Sequence, residues 1–122
     1  MKLTTLVLAL SGTVTHIVDG DTFDIGTTRI RLCGIGAPEK GSYSAIQSKG
    51  YLDSLISGKR VQCAPVGQGS VCDGRSKPTN RGRIVAQCFL GDLDIAGEMV
   101  REGHACDWVR FSGGAYPGGC TR

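Results

Sequence analysis

Apolar and polar residues alternate along the first part of the chain with a period of two, which is typical of β-strands. Residues 12–25 carry this alternation on both sides of a central Asp-Gly-Asp, which predicts two strands joined by a turn at Gly20. Residues 28–35 alternate again, with Ile30 and Leu32 on one face and arginines on the other. The pattern therefore predicts a three-stranded meander.

The period then changes from two to that of a helix. Residues 42–58 carry apolar side chains at three- and four-residue steps, which predicts a helix that ends at a glycine. Further strands are predicted at 59–66 and 82–90, separated by a Gly- and Ser-rich loop that we expect to be long and mobile. A short helix follows, with Asp94 as its N-cap.

The order of these elements indicates the fold class. Three meandering strands, a helix and two more strands is the order of a five-stranded Greek-key barrel of the oligonucleotide/oligosaccharide-binding (OB) type. We therefore predict an α+β protein, an OB-fold β-barrel with two or three packed helices. Its 122 residues leave no room for a second core. We assign 1–11 to a possible signal or N-terminal apolar segment, 12–111 to the domain and 112–122 to an irregular tail.

Composition limits the classes of function. Hydrophobic residues make up 40% of the chain and charged residues 20%, which excludes disorder over most of its length. The net charge of +3 is too small for binding nucleic acid by overall charge, so such binding needs a local basic cluster. No segment is long enough to be predicted as a membrane span.

Six cysteines without a CxxC pair favour disulfides over zinc ligands or free core thiols. Disulfides and the apolar run within 1–11 predict a secreted or periplasmic protein, although that run is also typical of a first strand. Cys63 and Cys88 are the first candidates for a bridge, because their strands would be antiparallel neighbours, and Cys106 with Cys120 is a second choice.

Four short motifs carry the chemistry: DGDT at 19–22, RLCGIGAPE at 31–39, GRIVAQC at 82–88 and VREGHA at 100–105. In this order and at these separations they resemble the staphylococcal nuclease-like (thermonuclease) family, over residues 12–111. The resemblance implies this barrel fold and a metal-dependent nuclease that hydrolyses phosphodiester bonds of DNA or RNA.

By this resemblance, Arg31 and Arg83 bind the phosphate and Glu39 activates or orients the attacking water. Hydrolysis of a phosphodiester needs a nucleophilic water and positive charge on the equatorial oxygens. The planar fork of arginine can bind two such oxygens at once. Taken singly, each of the three residues is also compatible with an ordinary surface position.

The same resemblance assigns a metal site to the first turn. Asp21 stands at the position of a calcium ligand and the Ala37 carbonyl at that of another, with Asp19 and Thr22 beside them. Asp-Gly-Asp is also typical of a hairpin tip that binds nothing. Gly36 departs from the family pattern, which has an aspartate there. We therefore expect a weakened Ca²⁺ site, or one that suits Mg²⁺ better.

Arg81 replaces a tyrosine of the family and would add charge next to the substrate phosphate. Trp108, Phe111 and Tyr116 are candidates for stacking on a base, but such aromatic residues are also typical of a core or a lid. The first hypothesis is a monomeric nuclease acting on nucleic acid. The alternative is a catalytically weakened module of the same fold that binds nucleic acid or another anion, because Gly36 cannot hold the ion.

Overall fold

The computed structural model describes residues 10–122, so the prediction for the start of the chain lies mostly outside the described residues. The α+β class is confirmed: the described residues form short strands and three helices. Strands occur wherever the period of two predicted them. The elements are β1 Leu10–Thr13, β2 His16–Asp19, β3 Thr22–Ile25, β4 Thr28–Leu32, β5 Ile35–Gly36, α1 Tyr43–Ile56, β6 Arg60–Pro65, β7 Thr79–Asn80, β8 Arg83–Leu90, β9 Leu93–Asp94, α2 Ile95–Arg101, β10 Cys106–Asp107, α3 Val109–Ser112 and β11 Cys120–Thr121.

Most strands belong to one mixed sheet with the order β1-β6-β8-β4-β3-β2. Strand β4 runs parallel to β8, whereas the other neighbours along this path are antiparallel. The short strands β7 and β9 also pair with β8. A second, small sheet has the order β11-β10-β5, and its strand β5 follows β4 directly along the chain.

The main sheet is not a closed barrel by its hydrogen-bonded ladders, because within residues 10–122 none joins β1 to β2. These two end strands are nevertheless consecutive in the chain. Between them, the Val14 N–H donates to the Lys59 carbonyl at 2.9 Å and the Thr15 N–H to the Asp24 carbonyl at 2.8 Å. The chain therefore passes from one end of the sheet to the other within two residues.

The core lies between one face of the main sheet and helices α1 and α2. Phe23, Ile30 and Leu32 are completely buried and belong to the same apolar cluster as Leu52 of α1 and Met99 of α2. Because side chains alternate between the faces of a strand, burial of these residues directs Thr22 and Arg31 to the opposite face. The predicted site therefore begins on the outer face of the sheet.

The loop at 67–78 was expected to be mobile, but it is fastened to the sheet. The Asp73 carboxylate accepts hydrogen bonds from the Ser70 hydroxyl and from the N–H groups of Gly67 and Gly69, and these bonds lower its pKa to about 2. A disulfide links Cys72 of this loop to Cys33 at the end of β4. The loop is thus held beside the outer face, where the sequence alone gave no reason to place it.

Among the described residues every cysteine is in a disulfide. The bridge between β6 and β8 is the pair that the sequence analysis put first, and the one between β10 and β11 is its second choice. Three disulfides are compatible with an oxidising compartment. The pairs are Cys33–Cys72, Cys63–Cys88 and Cys106–Cys120.

The segment at 112–122 is ordered around two contacts. The buried Tyr116 donates its hydroxyl to the Asp94 carboxylate at 2.9 Å, and β11 pairs with β10 in parallel. No helix in the described part of the chain has the length and apolar character of a membrane span.

Candidate functional site

The candidate site is built around Arg31, on the outer face of β4. Arg31 pairs with Thr22 of β3 on one side and with Val85 of β8 on the other. Paired residues share a face, as do residues two apart in one strand, so Arg83 of β8 points to the same side. Register alone therefore brings Thr22, Arg31 and Arg83 together from three strands.

Asp21 pairs with Arg31 in this cluster. An Asp21 oxygen lies 3.4 Å from an Arg31 nitrogen, and the two side chains are only 11% and 15% exposed. The carboxylate also accepts hydrogen bonds from the Thr22 hydroxyl at 2.8 Å and from the Ala37 N–H at 3.0 Å. Burial by itself would raise the pKa of Asp21, but the charge of Arg31 and these hydrogen bonds outweigh burial and lower it.

Arg31 and Arg83 are oriented by backbone carbonyls. Arg31 donates to the Leu32 carbonyl at 2.5 Å. Arg83 donates to the carbonyl of Asn80 at 3.1 Å and to its side-chain oxygen at 3.2 Å, and reaches the Thr22 hydroxyl at 3.5 Å. Burial lowers the pKa of Arg31, which Asp21 opposes and Arg83 reinforces. An arginine nevertheless stays protonated, so both groups carry full positive charge.

Asp19 supports the first turn and makes no direct hydrogen bond with an arginine in the described residues. Its carboxylate accepts a hydrogen bond from the Asp21 N–H at 3.1 Å, the arrangement of an Asx turn. Burial and the neighbouring Asp21 carboxylate raise the pKa of Asp19. Asp19 thus positions Asp21, and it neutralises little of the positive charge of Arg31.

Glu39 and Arg81 make no hydrogen bond or ion pair with the cluster within the described residues. Glu39 is exposed, and its carboxylate makes no hydrogen bond or ion pair within the described residues, whereas its carbonyl accepts from Ser42. Arg81 is exposed at the tip of the β7–β8 hairpin, where it and Gly82 have φ angles of 53° and 77°. Positive φ at both central residues is typical of a type I′ turn. The structure thus brings Asp21, Thr22, Arg31 and Arg83 together, and the role of Glu39 stays a prediction.

A cleft of 810 Å³ opens beside Arg31. One wall is the fastened loop, which contributes Arg75 and Lys77, and the other contains Trp108 and Arg110. Of the described residues, four basic ones and no acidic one line this cleft. An elongated anion therefore meets only positive charge along it.

The aromatic wall of the cleft gives it a second property. The rings of Trp108 and Phe111 meet edge to face at 5.0 Å between centroids, and the Arg110 guanidinium lies 5.4 Å from the Phe111 ring centre. Aromatic rings next to cations are suited to bases beside phosphates. The sequence analysis found the two aromatic residues and missed the basic residues of the loop. The one signal that could have placed the loop was its cysteine, whose partner the sequence did not reveal.

The residues at the expected metal site do not fit a Ca²⁺ or Mg²⁺ ion. Hard cations need several oxygen ligands, but both Asp21 oxygens already accept hydrogen bonds and Gly36 has no side chain. The Ala37 carbonyl accepts a hydrogen bond from Arg122 at 3.2 Å. Within residues 10–122, no group of three or more His, Cys, Asp or Glu residues is placed to hold a metal ion.

No protein-family model matches the chain. The chain is similar to an Escherichia coli protein named "Uncharacterized endonuclease", with 31% identity over 105 residues. The match covers 82% of this chain and 61% of that protein, so the chain spans about three fifths of its relative. The name of that protein specifies neither a substrate nor a metal.

Proposed function

We propose that the protein is a nuclease of the staphylococcal nuclease-like type, which hydrolyses phosphodiester bonds of DNA or RNA. The observation that carries this proposal is the convergence of Arg31 and Arg83 on one sheet face, next to a cleft lined by basic residues. The similarity to a protein named as an endonuclease supports the same class of reaction. Nucleic acid is the substrate that combines regularly spaced phosphates with bases for Trp108 and Phe111.

An OB-type barrel fold is part of this proposal. The strand path β1-β6-β8-β4-β3-β2 begins and ends with two strands that are consecutive in the chain. The first and last strands of the sheet are therefore close together, as they are in a sheet that closes into a barrel. We infer that β1 and β2 act as one bent strand of an OB-type barrel, with α1 and α2 against its core. The two edge strands of the sheet are then one continuous segment of the chain.

The chemistry follows from the charges. Arg31 and Arg83 bind the non-bridging oxygens of one phosphate, where negative charge increases as the water attacks. The Glu39 carboxylate accepts a proton from that water as the new P–O bond forms and the opposite P–O bond breaks. The leaving oxygen is protonated from solvent. Glu39 is exposed and its carboxylate has no partner among residues 10–122, so it can turn toward a bound substrate.

Cleavage of labelled single-stranded DNA and RNA tests this proposal, measured with EDTA, Ca²⁺ or Mg²⁺. Glu39→Gln should lower kcat by about 100-fold or more, and Arg83→Gln by a similar factor. The matched control is Arg29→Gln, which removes the same charge from β4 at an exposed arginine paired with Asp24. The control should keep nearly full activity. Full activity of Glu39→Gln would remove Glu39 from the mechanism.

The alternative is a module of the same fold that binds nucleic acid without cleaving it. The Glu39 carboxylate makes no hydrogen bond or ion pair with either arginine within the described residues, which favours this alternative, as does the absence of a side chain at Gly36. Binding without cleavage in all three ion conditions would establish it. Such a result would contradict the nuclease proposal and leave the arginine cluster as a binding site.

A further inference from the structure

Arg122 reaches the candidate site from the far end of the small sheet. Its guanidinium lies against Gly36, so closely that a Cβ atom there would stand 2.5 Å from one terminal nitrogen and 2.8 Å from Cζ. Another nitrogen donates to the Ala37 carbonyl at 3.2 Å. The guanidinium carbon also lies 5.1 Å from the centre of the Trp108 ring, as in a cation–π contact. Three separate contacts therefore seat this side chain.

Gly36 is needed for this approach and for no other reason visible in its surroundings. Its φ lies outside the left-handed region that favours glycine, so its backbone would accept alanine. All three atoms nearest to a Cβ at this position belong to Arg122. The residue that the sequence analysis regarded as a lost acid thus makes the space that the guanidinium fills.

The small sheet and a disulfide hold Arg122 in place. Cys106 of β10 lies opposite Gly36 of β5 on one side and Cys120 of β11 on the other. The two cysteines are bonded to each other. Immediately after β11, the Arg122 N–H donates to the Asp107 carbonyl at 2.8 Å. The backbone of Arg122 is therefore tied to the strand next to β5.

The cluster has a surplus of positive charge. Arg122 and Arg83 both act on Arg31 as like charges, and the acids that act on it are Asp21 and Asp19. Asp21 is already bonded by Thr22 and Ala37, and the charge of Asp19 is disfavoured by burial. Three guanidinium groups thus share two carboxylates, of which Asp21 is paired with Arg31 and Asp19 has its charge disfavoured by burial. An anion is the missing partner of such a group.

We propose that Arg122 is a third phosphate-binding arginine of the candidate site, seated on Gly36 and held there by the Cys106–Cys120 disulfide. The bound group is a backbone phosphate of nucleic acid, which rests on the proposed function. A positive charge that belongs to the chain then occupies the place where the expected metal ion does not fit. Two consequences follow: binding is independent of divalent ions, and it depends on the oxidised disulfide.

Binding to a fluorescent single-stranded oligonucleotide, followed by anisotropy in EDTA, tests this inference. Glu39→Gln serves as the background so that the probe is not cut. Adding Arg122→Gln should weaken binding about 10-fold, because a hydrogen bond to a charged group is lost. The slope of log K against log salt should fall by about 0.7, the value of one phosphate contact on a single strand. The matched control is Arg101→Gln on α2, which removes an exposed arginine paired with Glu98 and should change neither quantity.

A second variant separates the position of the charge from its presence. Gly36→Ala keeps the arginine but displaces its guanidinium, so it should weaken binding by a factor similar to that of Arg122→Gln. Combining the two substitutions should produce no further loss. Joint replacement of Cys106 and Cys120 by serine should weaken binding to the same extent.

Several results would overturn the inference. Arg122→Gln with unchanged affinity and salt slope would do so, and so would losses from Gly36→Ala and Arg122→Gln that add in full. The result of this binding test can be distinguished from the result of the cleavage test of the proposed function. Arg122-dependent binding without any cleavage by wild type would retain this inference and contradict the nuclease. Cleavage and binding that ignore Arg122 would retain the nuclease and contradict this inference.

Discussion

Asp21 is the residue whose replacement tests the electrostatics of the site most directly. Asp21→Asn keeps the shape of the side chain and removes its charge, while the chain keeps the buried guanidinium of Arg31. The new amide can keep both hydrogen-bond positions of the carboxylate, because its oxygen accepts from the Ala37 N–H and its NH₂ donates to the Thr22 hydroxyl, which can turn to accept. The substitution therefore removes the ion pair and leaves the hydrogen bonds in place.

Removing one partner of a buried ion pair costs about 3–5 kcal/mol. Here Arg31 keeps its hydrogen bond to Leu32 and both side chains retain slight exposure, which places the expected loss at about 3 kcal/mol. This loss depends on pH. The folded pKa of Asp21 is lowered, so its contribution is present above the unfolded value of about 3.9 and disappears as pH falls through the folded pKa. The difference between variant and wild type should therefore shrink in acid.

Urea unfolding at pH 7 and at about pH 3, followed by the fluorescence of Trp108, measures both effects. Asp24→Asn is the matched control, because its partner Arg29 is 47% exposed and such surface pairs are worth about 0–1 kcal/mol. If Asp21→Asn costs no more than Asp24→Asn at pH 7, or costs the same at both pH values, the pairing described for Arg31 is not what stabilises this turn.

Three further predictions concern stability and titration. Replacing both Cys63 and Cys88 by alanine should lower the free energy of unfolding by about 3.5 kcal/mol, since their sequence separation is 25; urea unfolding would contradict this with a loss under about 1 kcal/mol. Arg81→Asn should raise the melting temperature and add about 0.5 kcal/mol, because asparagine tolerates the left-handed φ of 53° better; a lower melting temperature would refute it. The Tyr51 hydroxyl donates to Glu98 at 2.6 Å, which raises its pKa to about 12. Tyr51→Phe should therefore remove the tyrosinate absorbance step near pH 12, and the stability from this bond should be lost as pH rises from about 10 through that value.

Much of the site could be predicted because alternation in a strand is a local property. Ile30 and Leu32 must enter the core, so Arg31 between them must face outward. Phe23 directs Thr22 outward by the same reasoning. Register between neighbouring strands then turned these local directions into contacts. The predicted residues that belong to the cluster are those in strands with a clear alternation of apolar and polar residues.

The rest of the site depended on contacts that the alternation of apolar and polar residues does not reveal. The loop with Arg75 and Lys77 has no alternation, and it reaches the cleft through a disulfide whose cysteines are separated by 39 positions. Arg122 lies in a segment predicted to be irregular, and two short strands and another disulfide bring it to β5. Glu39 follows the strands, and its exposed carboxylate makes no hydrogen bond or ion pair in the part of the chain that the structure describes. Long-range covalent links and free side-chain rotation are both invisible to a pattern of apolar residues.

Gly36 and Arg122 together change the meaning of the departure from the family pattern. An aspartate at position 36 would bring a negative charge that needs a cation, whereas glycine with a guanidinium on it brings the cation without the acid. The local charge therefore differs by two units from that of a site with the acid and without the arginine. Charge fixed to the chain cannot be removed by a chelator, but it is screened by salt like any exposed group. A site of this kind should hold phosphate in EDTA and release it as ionic strength rises, whereas a site that depends on a bound ion would already release phosphate in EDTA.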